Sequence, residues 1–353
     1  MTNARDPLRF SQERLTPMSP ARVPNLTVGD LRRIFPVVTA AVEMTHGGQK
    51  QVFRATINGQ TVALKLVLPD HEPAAPFVDA AASTIVPGED STLTMDDDGG
   101  GEDLDAEERM IPPRLRREVD LLATIDSPFI VPLIEMEGKR LRAIPDAGRW
   151  YLAYAEAWVD GEDLDHRLAK GTQQMPVPEV VRLALDCVAG ITALWKNEIV
   201  HRDIKPHNIM RRSDGRFLLI DLGLALDIQA ETITETGAWL GTMAFAAPEI
   251  NDPELRDRVD FRADLFSLGL VLYEALAAFH PYQARTAGRT VTDVRRRMRD
   301  RPIPLIQRVT DAHPNLAAII MRMINTDMNL RYARLSQLET ALRTVAADLG
   351  VSP

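Results

Sequence analysis

Residues 201–208 decide the fold and read His201-Arg202-Asp203-Ile204-Lys205-Pro206-His207-Asn208. In this stretch Asp203 can orient an attacking hydroxyl and accept its proton, Lys205 can neutralise a moving phosphate, and Asn208 can hold a metal ion. Asp221 follows thirteen residues after Asn208, directly behind the apolar run 217–220, so a second carboxylate is expected at the end of a strand. The spacing is typical of phosphoryl transfer from a nucleotide.

These residues together resemble the eukaryotic-type, or Hanks-type, protein kinase family, and in particular its Ser/Thr branch. The resemblance runs from about residue 30 to residue 348. It implies an α+β, bilobal protein kinase fold, with a small antiparallel-sheet lobe that carries one main helix and a larger, mostly helical lobe. We expect a flexible N-terminal tail over residues 1–25, the small lobe over 26–159 and the large lobe over 160–350.

Lys65 and Glu118 complete the catalytic set that the resemblance implies. Residues 60–65 are similar to the family's strand whose Lys pairs with the α- and β-phosphates of ATP. Residues 117–122 are similar to the helix that gives this Lys its ion-pair partner, here Glu118. The implied cofactors are ATP and Mg²⁺, a hard ion that prefers oxygen ligands. The implied catalytic residues are Lys65, Glu118, Asp203, Lys205, Asn208 and Asp221, of which Asn208 and Asp221 are the metal ligands.

The glycine-rich loop departs from the family pattern. Counted back from Val52, the pattern G-x-G-x-x-G-x-V retains Gly47, with Gly48 beside it, and has Lys50 where the third Gly belongs. Glycines let backbone amides approach phosphate oxygens closely, and Lys50 offers a positive charge in place of that freedom. A phosphate contact, an obstruction of the pocket and a solvent-facing side chain are all compatible with Lys50. The implied nucleotide-binding residues are Gly47, Gly48, Lys50, Val52, Ala63, Lys65 and Met210, of which Val52, Ala63 and Met210 would enclose the adenine.

The hinge that binds adenine through its backbone is expected between residues 150 and 160. Either Ala155 or Glu156 takes the position that guards the back of the nucleotide pocket, and the sequence leaves this register open. Just before the strand of Lys65, Asn58 and Gly59 form a strong signal for a type I′ hairpin.

Later motifs extend the resemblance to the end of the chain. Residues 247–249, Ala-Pro-Glu, match the end of the family's activation segment. Asp264 matches the buried Asp that supports the catalytic loop, and Arg331 matches the Arg that pairs with Glu249. Arg202 is similar to an Arg that binds a phosphorylated residue of the activation segment. Thr232, Thr234 and Thr236 are the candidate phosphorylation sites, whereas Thr242 is expected first to hydrogen-bond the catalytic Asp.

An acidic segment separates Lys65 from Glu118. Residues 66–108 contain thirteen acidic residues and no Lys or Arg. Such a composition buries too little apolar surface to offset the entropy of ordering, so a disordered insertion is expected over about residues 66–110. It is either an inert surface loop or a tethered regulatory segment.

Composition and charge exclude several other classes. The chain has 353 residues, a net charge of −9 and no apolar run of the ~18 residues that a membrane span needs. Its first residues lack the apolar core of a secretory signal, and its one cysteine, Cys187, falls on the apolar face of a predicted helix. One Cys and seven scattered His form no zinc pattern. We therefore expect a cytoplasmic protein that binds neither membranes nor nucleic acid.

These features predict a Ser/Thr protein kinase that transfers the γ-phosphoryl group of ATP to Ser and Thr hydroxyls of protein substrates. Regulation is expected through autophosphorylation of the activation segment. The altered glycine-rich loop leaves open a pseudokinase scaffold with weak nucleotide binding. A small-molecule kinase is a second alternative, although that class generally lacks an activation segment ending in Ala-Pro-Glu. The oligomeric state stays open.

Overall fold

The structure is a computed structural model. It describes residues 26–47, 50–67, 107, 110–111, 113–146, 149–170, 174–221, 244–251, 258–282, 302–310 and 312–352. Several sequence predictions lie outside these residues: the tail over 1–25, most of the acidic insertion, Gly48, and the threonines Thr232, Thr234, Thr236 and Thr242.

An antiparallel sheet forms the small lobe. Its strands are β1 (Val38–Gly47), β2 (Lys50–Ile57), β3 (Gln60–Val67), β4 (Leu133–Ile134), β5 (Leu141–Asp146) and β6 (Arg149–Ala157). They run in the order β1-β2-β3-β6-β4, with β5 also paired to β6. Asn58 and Gly59 join β2 to β3 with φ values of 51° and 79°, which confirms the predicted type I′ hairpin. Successive residues of β3 face opposite sides, so Leu64 and Leu66 enter a buried apolar cluster while Lys65 faces the other side.

A helix that the sequence analysis did not predict covers the apolar side of this sheet. Helix α1 (Val28–Ile34) begins after Thr27, whose side chain accepts the amide of Asp30 while the Asp30 carboxylate accepts the amide of Thr27. Leu31 and Phe35 are fully buried in the apolar cluster of the sheet. Helix α1 and Phe35 thus cover the apolar side of the sheet.

The acidic insertion is shorter than the predicted range of residues 66–110. Strand β3 includes Leu66 and Val67, and both are fully buried. Side chains alternate along the strand, so Leu66 packs in the apolar cluster of the sheet and Val67 packs in the apolar cluster on the other side. At the other end Glu107 is helical and accepts a hydrogen bond from Arg142 Nε at 2.6 Å. Apolar burial at one end and an ion pair at the other therefore order residues that composition alone assigned to a disordered segment.

Helices make up most of the rest. Helix α2 (Pro113–Ala123) is the predicted main helix of the small lobe, and the large lobe contains α3 (Leu164–Lys170), α4 (Val177–Trp195), α5 (Phe261–Ala277), α6 (Leu305–Arg308), α7 (Pro314–Met323) and α8 (Leu335–Asp348). Helix α5 is buried on nearly all sides, and Gly269 lets α7 approach it closely. A Cβ at Gly269 would lie 2.7 Å from Ile324 and 2.8 Å from Met323. The predicted α+β, two-lobed fold is confirmed.

A three-stranded sheet joins the two lobes beside residues 201–208. It consists of β7 (Gly161–Asp163), β8 (Ile209–Arg212) and β9 (Phe217–Leu219). The amide of Val131 donates to the carbonyl of Leu219 at 2.9 Å, and the amide of Leu219 donates to Phe129 at 2.9 Å. These bonds bring the end of β9, and with it Asp221, to the junction of the lobes. Among the described helices, none has the length and apolar character needed to cross a membrane.

Candidate active site

Asp264, near the start of α5, holds the loop 201–208 in place. Its carboxylate accepts the backbone amides of His201 at 2.8 Å and Arg202 at 2.9 Å, as predicted. Burial raises the pKa of Asp264 to about 7, although these amide donors favour its charged form. The buried ring of His201 places Nε2 3.2 Å from the carbonyl oxygen of Ile220. The loop is therefore fixed both to α5 and to the segment after β9.

One carboxylate oxygen of Asp203 accepts two hydrogen bonds, and the other has no donor among the described residues. Lys205 Nζ donates to its Oδ2 at 2.8 Å, and Asn208 Nδ2 donates to the same oxygen at 2.7 Å. No residue that the structure describes donates a hydrogen bond to the buried Oδ1. Three of the predicted catalytic residues thus meet, and one oxygen of Asp203 keeps its capacity to accept a hydrogen bond.

The carboxylate of Asp221 receives three donors. Tyr154 Oη donates to Oδ1 at 3.1 Å, Lys65 Nζ lies 3.3 Å from the same oxygen, and Lys50 Nζ contacts Oδ2. Burial, followed by the charge of Glu156, raises the pKa of Tyr154, so its hydroxyl keeps the proton that it donates. The φ value of Asp221 is 64°, a left-handed conformation that non-glycine residues seldom adopt and that is concentrated at functional sites.

Lys65 pairs with Glu156, whereas the sequence predicted a pair with Glu118. Lys65 Nζ lies 2.6 Å from Oε2 of Glu156, and both side chains are almost fully buried. The other oxygen, Oε1, accepts the backbone amide of Asp221 at 3.1 Å. Among the described residues, the ion-pair partners of Lys65 are Glu156 and Asp221, and Glu118 is not one of them. The reason is that β6 lies directly beside β3 and brings its own acid to the lysine.

Lys50 points into the site, which removes the solvent-facing alternative. Its ammonium group contacts the carboxylate of Asp221, and its side chain is largely buried. Burial, together with the charges of Lys65 and Lys205, lowers the pKa of Lys50 to about 7, while the charges of Asp203 and Glu156 favour the charged form. The amine therefore occupies the position of a counterion to a residue that is expected to bind metal.

Comparison with known proteins agrees with this geometry. A family model described as a protein kinase domain matches residues 103–342. The chain belongs to the protein kinase family. The kinase is 29% identical over 231 residues to serine/threonine-protein kinase PknB of Mycobacterium leprae, and 28% identical over 239 residues to PknH of Mycobacterium bovis. Those alignments cover 65% and 67% of the kinase and 35% and 37% of the two relatives.

Rat rhodopsin kinase GRK1 is 28% identical over 198 residues, which is 55% of the chain and 33% of that relative. The kinase therefore spans about a third of the length of the curated relatives that it matches. The predicted membership of the Hanks-type Ser/Thr branch is confirmed. The family match begins at residue 103, beyond β3, so the roles of Lys50 and Lys65 rest on resemblance and geometry.

Four of the residues that line the expected nucleotide site lie on the face of the sheet that carries Lys65. Lys65 lies opposite Val52 in the pairing of β2 with β3, and Ala63 lies opposite Glu156 in the pairing of β3 with β6. Alternation along the strands puts all four on the same face. Ala155 is instead fully buried in the apolar cluster on the other side. Of the two residues that the sequence left open, Glu156 is therefore the one on the same face as Lys65.

The sequence analysis missed Tyr154, and it named Glu156 for the back of the pocket without predicting its contact with Lys65. Both lie on β6, whose residues 151–157 read Tyr-Leu-Ala-Tyr-Ala-Glu-Ala. A single acid within an otherwise apolar strand is costly to bury without a partner, and that signal was available in the sequence. The predicted adenine contacts of Met210, which is half-buried on β8, stay a prediction.

Asn208 and Asp221 suit a magnesium ion. The carbonyl of Asn208 accepts the amide of Ile220 at 3.0 Å, which brings the two side-chain positions close together. Asn208 donates through Nδ2 to Asp203, which leaves its amide oxygen for a hard cation. An amide oxygen and a carboxylate form the kind of small oxygen set that Mg²⁺ uses when substrate phosphates supply other ligands.

The far end of the activation segment is fixed by a buried ion pair. Arg331 is fully buried, and its guanidinium donates to both carboxylate oxygens of Glu249, at 2.5 and 2.9 Å. It also donates to the backbone carbonyls of Asn325 at 2.7 Å and Arg262 at 2.8 Å. The predicted Glu249–Arg331 pair is confirmed.

Proposed function

We propose that the chain is an active, ATP-dependent Ser/Thr protein kinase that phosphorylates hydroxyl groups of protein substrates. The observation that carries this proposal is the state of Asp203. One of its oxygens is held by Lys205 and Asn208, and the other is free of described donors. A carboxylate prepared in this way can align a hydroxyl and take its proton late in a loose transition state.

The other residues take complementary roles. Lys205, at 2.8 Å from Asp203, offers positive charge to the phosphoryl group as it moves. Lys65 is proposed to bind the α- and β-phosphates, and Asn208 and Asp221 are proposed to hold magnesium. The metal, when bound, neutralises charge that develops on the phosphate oxygens.

Lys50 supports a specific role for the altered glycine-rich loop. Its amine contacts the carboxylate of Asp221, which is proposed to hold magnesium. A bound magnesium ion would take that carboxylate, so the long side chain of Lys50 would then be released towards the phosphates. Lys50 would thereby replace the missing glycine by a direct electrostatic contact.

The pseudokinase alternative also has an observation in its favour. Two lysines already neutralise Asp221, and this arrangement would weaken metal binding if Lys50 stayed in place. The small-molecule alternative has less support, because residues 248–251 and their buried contact with Arg331 belong to a protein-kinase activation segment.

Regulation is proposed to act through Arg202. This residue has a positive φ value of 64° and is held by Asp264 beside the catalytic Asp203. A phosphate on Thr232, Thr234 or Thr236 would form charge-assisted hydrogen bonds with Arg202. Mass spectrometry of the protein before and after phosphatase treatment tests whether these threonines are phosphorylated. Full activity in the variant with all three threonines replaced by Ala would contradict the proposed regulation.

The cytoplasmic location also stays a prediction.

Incubation of the purified protein with radiolabelled ATP, magnesium and a generic basic protein tests the function. We expect label in protein, and a loss of about 10²–10³ in rate in Asp221→Ala or Lys65→Met. If the wild type labels protein no more strongly than Asp221→Ala does, the result would favour the pseudokinase. Label that appears only in an added small-molecule acceptor would favour the second alternative.

A further inference from the structure

The buried side chain of Gln51 on β2 is bound to two other segments of the small lobe. Its Oε1 accepts the backbone amide of Leu26 at 3.0 Å, and its Nε2 donates to the carbonyl of Leu26 at 2.9 Å. The same Nε2 donates to Oε1 of Glu43 on β1 at 2.9 Å. Gln51 is fully buried, and these bonds use both protons of its amide. Its orientation is therefore fixed, because a buried amide that loses its partners costs free energy.

Leu26 is held by its side chain as well as by its backbone. The side chain is buried in the apolar cluster of the sheet, which also contains Leu31 of α1 and Phe53 of β2. The next residue, Thr27, caps the start of α1. Through Leu26, Gln51 is thus joined to the packed core that α1 forms with the sheet.

The contact with Glu43 lies beside an irregularity in the pairing of β1 with β2. The register shifts between Glu43 and Thr45, so β1 contains one extra residue, Met44. Such a bulge interrupts the ladder of backbone hydrogen bonds, here just before the glycine-rich loop. The side chain of Gln51 reaches from β2 to Glu43 at this place. It therefore fastens together the two strands from which the loop extends.

Lys50 precedes Gln51 on β2, and the two side chains face opposite sides of the sheet. Gln51 reaches Leu26 on the apolar side, whereas the ammonium group of Lys50 contacts Asp221 in the site. The direction in which Lys50 points is set by the backbone at the end of β2. The bonds of Gln51 hold that same piece of backbone.

We propose that Gln51 is a positioning residue that holds the end of β2, through Leu26 and Glu43, so that Lys50 reaches the phosphates of the nucleotide. This inference rests on the proposed function, because it names the support of the phosphate contact assigned to Lys50. Gln51 lies on the far side of the sheet and is not expected to touch the nucleotide. Loss of its bonds should weaken phosphate binding and leave binding of the base unchanged.

The test compares Gln51→Leu, Lys50→Ala, the two changes combined, and Leu31→Ala, each in the full chain. Leu31→Ala is the matched control, because Leu31 is also fully buried on the apolar side of the sheet but has no side-chain hydrogen bond to lose. The readouts are the Kd for a fluorescent ADP analogue with magnesium, the Kd for adenosine, and the Tm. The ratio of the two Kd values isolates the contribution of the phosphates.

We expect Gln51→Leu to raise the Kd for the ADP analogue about tenfold and the Kd for adenosine less than about twofold. In the Lys50→Ala background, Gln51→Leu should change the ratio by less than about twofold, because both substitutions then act on one contact. Leu31→Ala should lower the Tm and leave the ratio unchanged.

Glu43→Ala decides the question if Gln51→Leu gives little folded protein. Glu43 is exposed, and its replacement removes the bond beside the bulge while the bonds between Gln51 and Leu26 stay. The Kd for the ADP analogue should then rise about threefold relative to that for adenosine. An unchanged ratio in Glu43→Ala would overturn the inference in that case.

Three further results would overturn it. They are an equal rise of both Kd values in Gln51→Leu, additive effects of Gln51→Leu and Lys50→Ala on the ratio, and a change of the ratio in Leu31→Ala as large as that in Gln51→Leu. Failure of the proposed function is separate, because binding of the ADP analogue requires no phosphoryl transfer. A wild type that transfers no phosphate would refute the kinase activity, while the Kd ratios still decide the role of Gln51.

Discussion

Asp221 stands between two lysines that come from different strands, Lys50 on β2 and Lys65 on β3. The two are held differently. Lys65 is 4% exposed and bound to Glu156, whereas Lys50 is 28% exposed and has Asp221 as its carboxylate contact among the described residues. A lysine side chain is a flexible four-carbon chain that ends in a compact charge. Lys50 could therefore move if a metal ion bound the carboxylate of Asp221. Lys50 is thus the adaptable member of the pair.

Replacement of Lys50 separates a phosphate contact from an obstruction. In Lys50→Ala we expect the KM for ATP to rise about tenfold, because one charged contact to phosphate is lost. Binding of adenosine, which has no phosphate, should be nearly unchanged when measured by calorimetry. Lys50→Arg retains the charge and serves as the control. A fall in KM for ATP in Lys50→Ala would show instead that Lys50 blocks the site.

The contacts among the candidate catalytic residues within 201–208 were predictable because they depend on local spacing. Asp203, Lys205 and Asn208 lie within six residues of one another, and a single turn brings them together. Glu156 and Lys65 are separated by 91 positions, and their contact depends on which strand lies beside β3. Strand order is a property of the whole sheet, so the resemblance predicted the family's usual partner, Glu118.

At the scale of elements, α5 supports the catalytic loop through one buried acid. Asp264 accepts two backbone amides from the loop, and burial raises its pKa from 3.8 to about 7. A raised pKa means that the folded protein retains a proton which the unfolded chain releases. The contribution of Asp264 to stability is therefore complete below the unfolded pKa and is lost as the pH rises through about 7.

Asp264→Asn should remove this pH dependence. The variant has no titrating group at this position, so the free energy of unfolding lost on substitution should be larger near pH 5 than near pH 8, by about 1–3 kcal/mol. Urea denaturation of both proteins at the two pH values measures the difference. Asp260→Asn is a partly exposed control at the start of the same helix. An equal loss at both pH values would contradict the raised pKa.

The helices differ in how well the sequence alone predicts them. Helices α4 and α8 were predictable, because each presents an apolar pattern with a period of 3.6 residues, whereas α5 was predictable from a continuous apolar stretch that suits burial on nearly all sides. Helix α1 was missed, since its seven residues contain few apolar positions and Leu31 alone is buried within it. Its signal was the capping pair of Thr27 and Asp30, a pattern too short to indicate a helix without the sheet it covers.

At the scale of the whole molecule, Arg331 connects distant parts of the large lobe. It lies 82 residues from Glu249, and its hydrogen bonds also reach the carbonyl of Arg262 in α5 and that of Asn325 after α7. Its guanidinium lies 4.7 Å from the ring centre of Phe266. One side chain therefore fixes the end of the activation segment to two helices.

Arg331→Met should destabilise the protein by about 3–5 kcal/mol, because it leaves the buried carboxylate of Glu249 without a counterion. Arg343→Ala is the control, since Arg343 forms an exposed pair with Glu339 one helical turn away, and such pairs contribute about 0.3–0.5 kcal/mol. Thermal and urea unfolding measure both. Equal effects of the two substitutions would show that the buried pair adds no stability beyond that of a surface pair.

The position of Glu156 on β6 also bears on inhibitor chemistry. Lys65 and Glu156 belong to adjacent strands, so backbone hydrogen bonds keep their spacing constant whatever the orientation of α2. A compound that acts by displacing α2 would leave this lysine anchored. A compound that reaches the back of the pocket would meet a buried carboxylate. There, a protonated amine on the compound would gain an ion pair, whereas a plain aryl group would leave the acid desolvated.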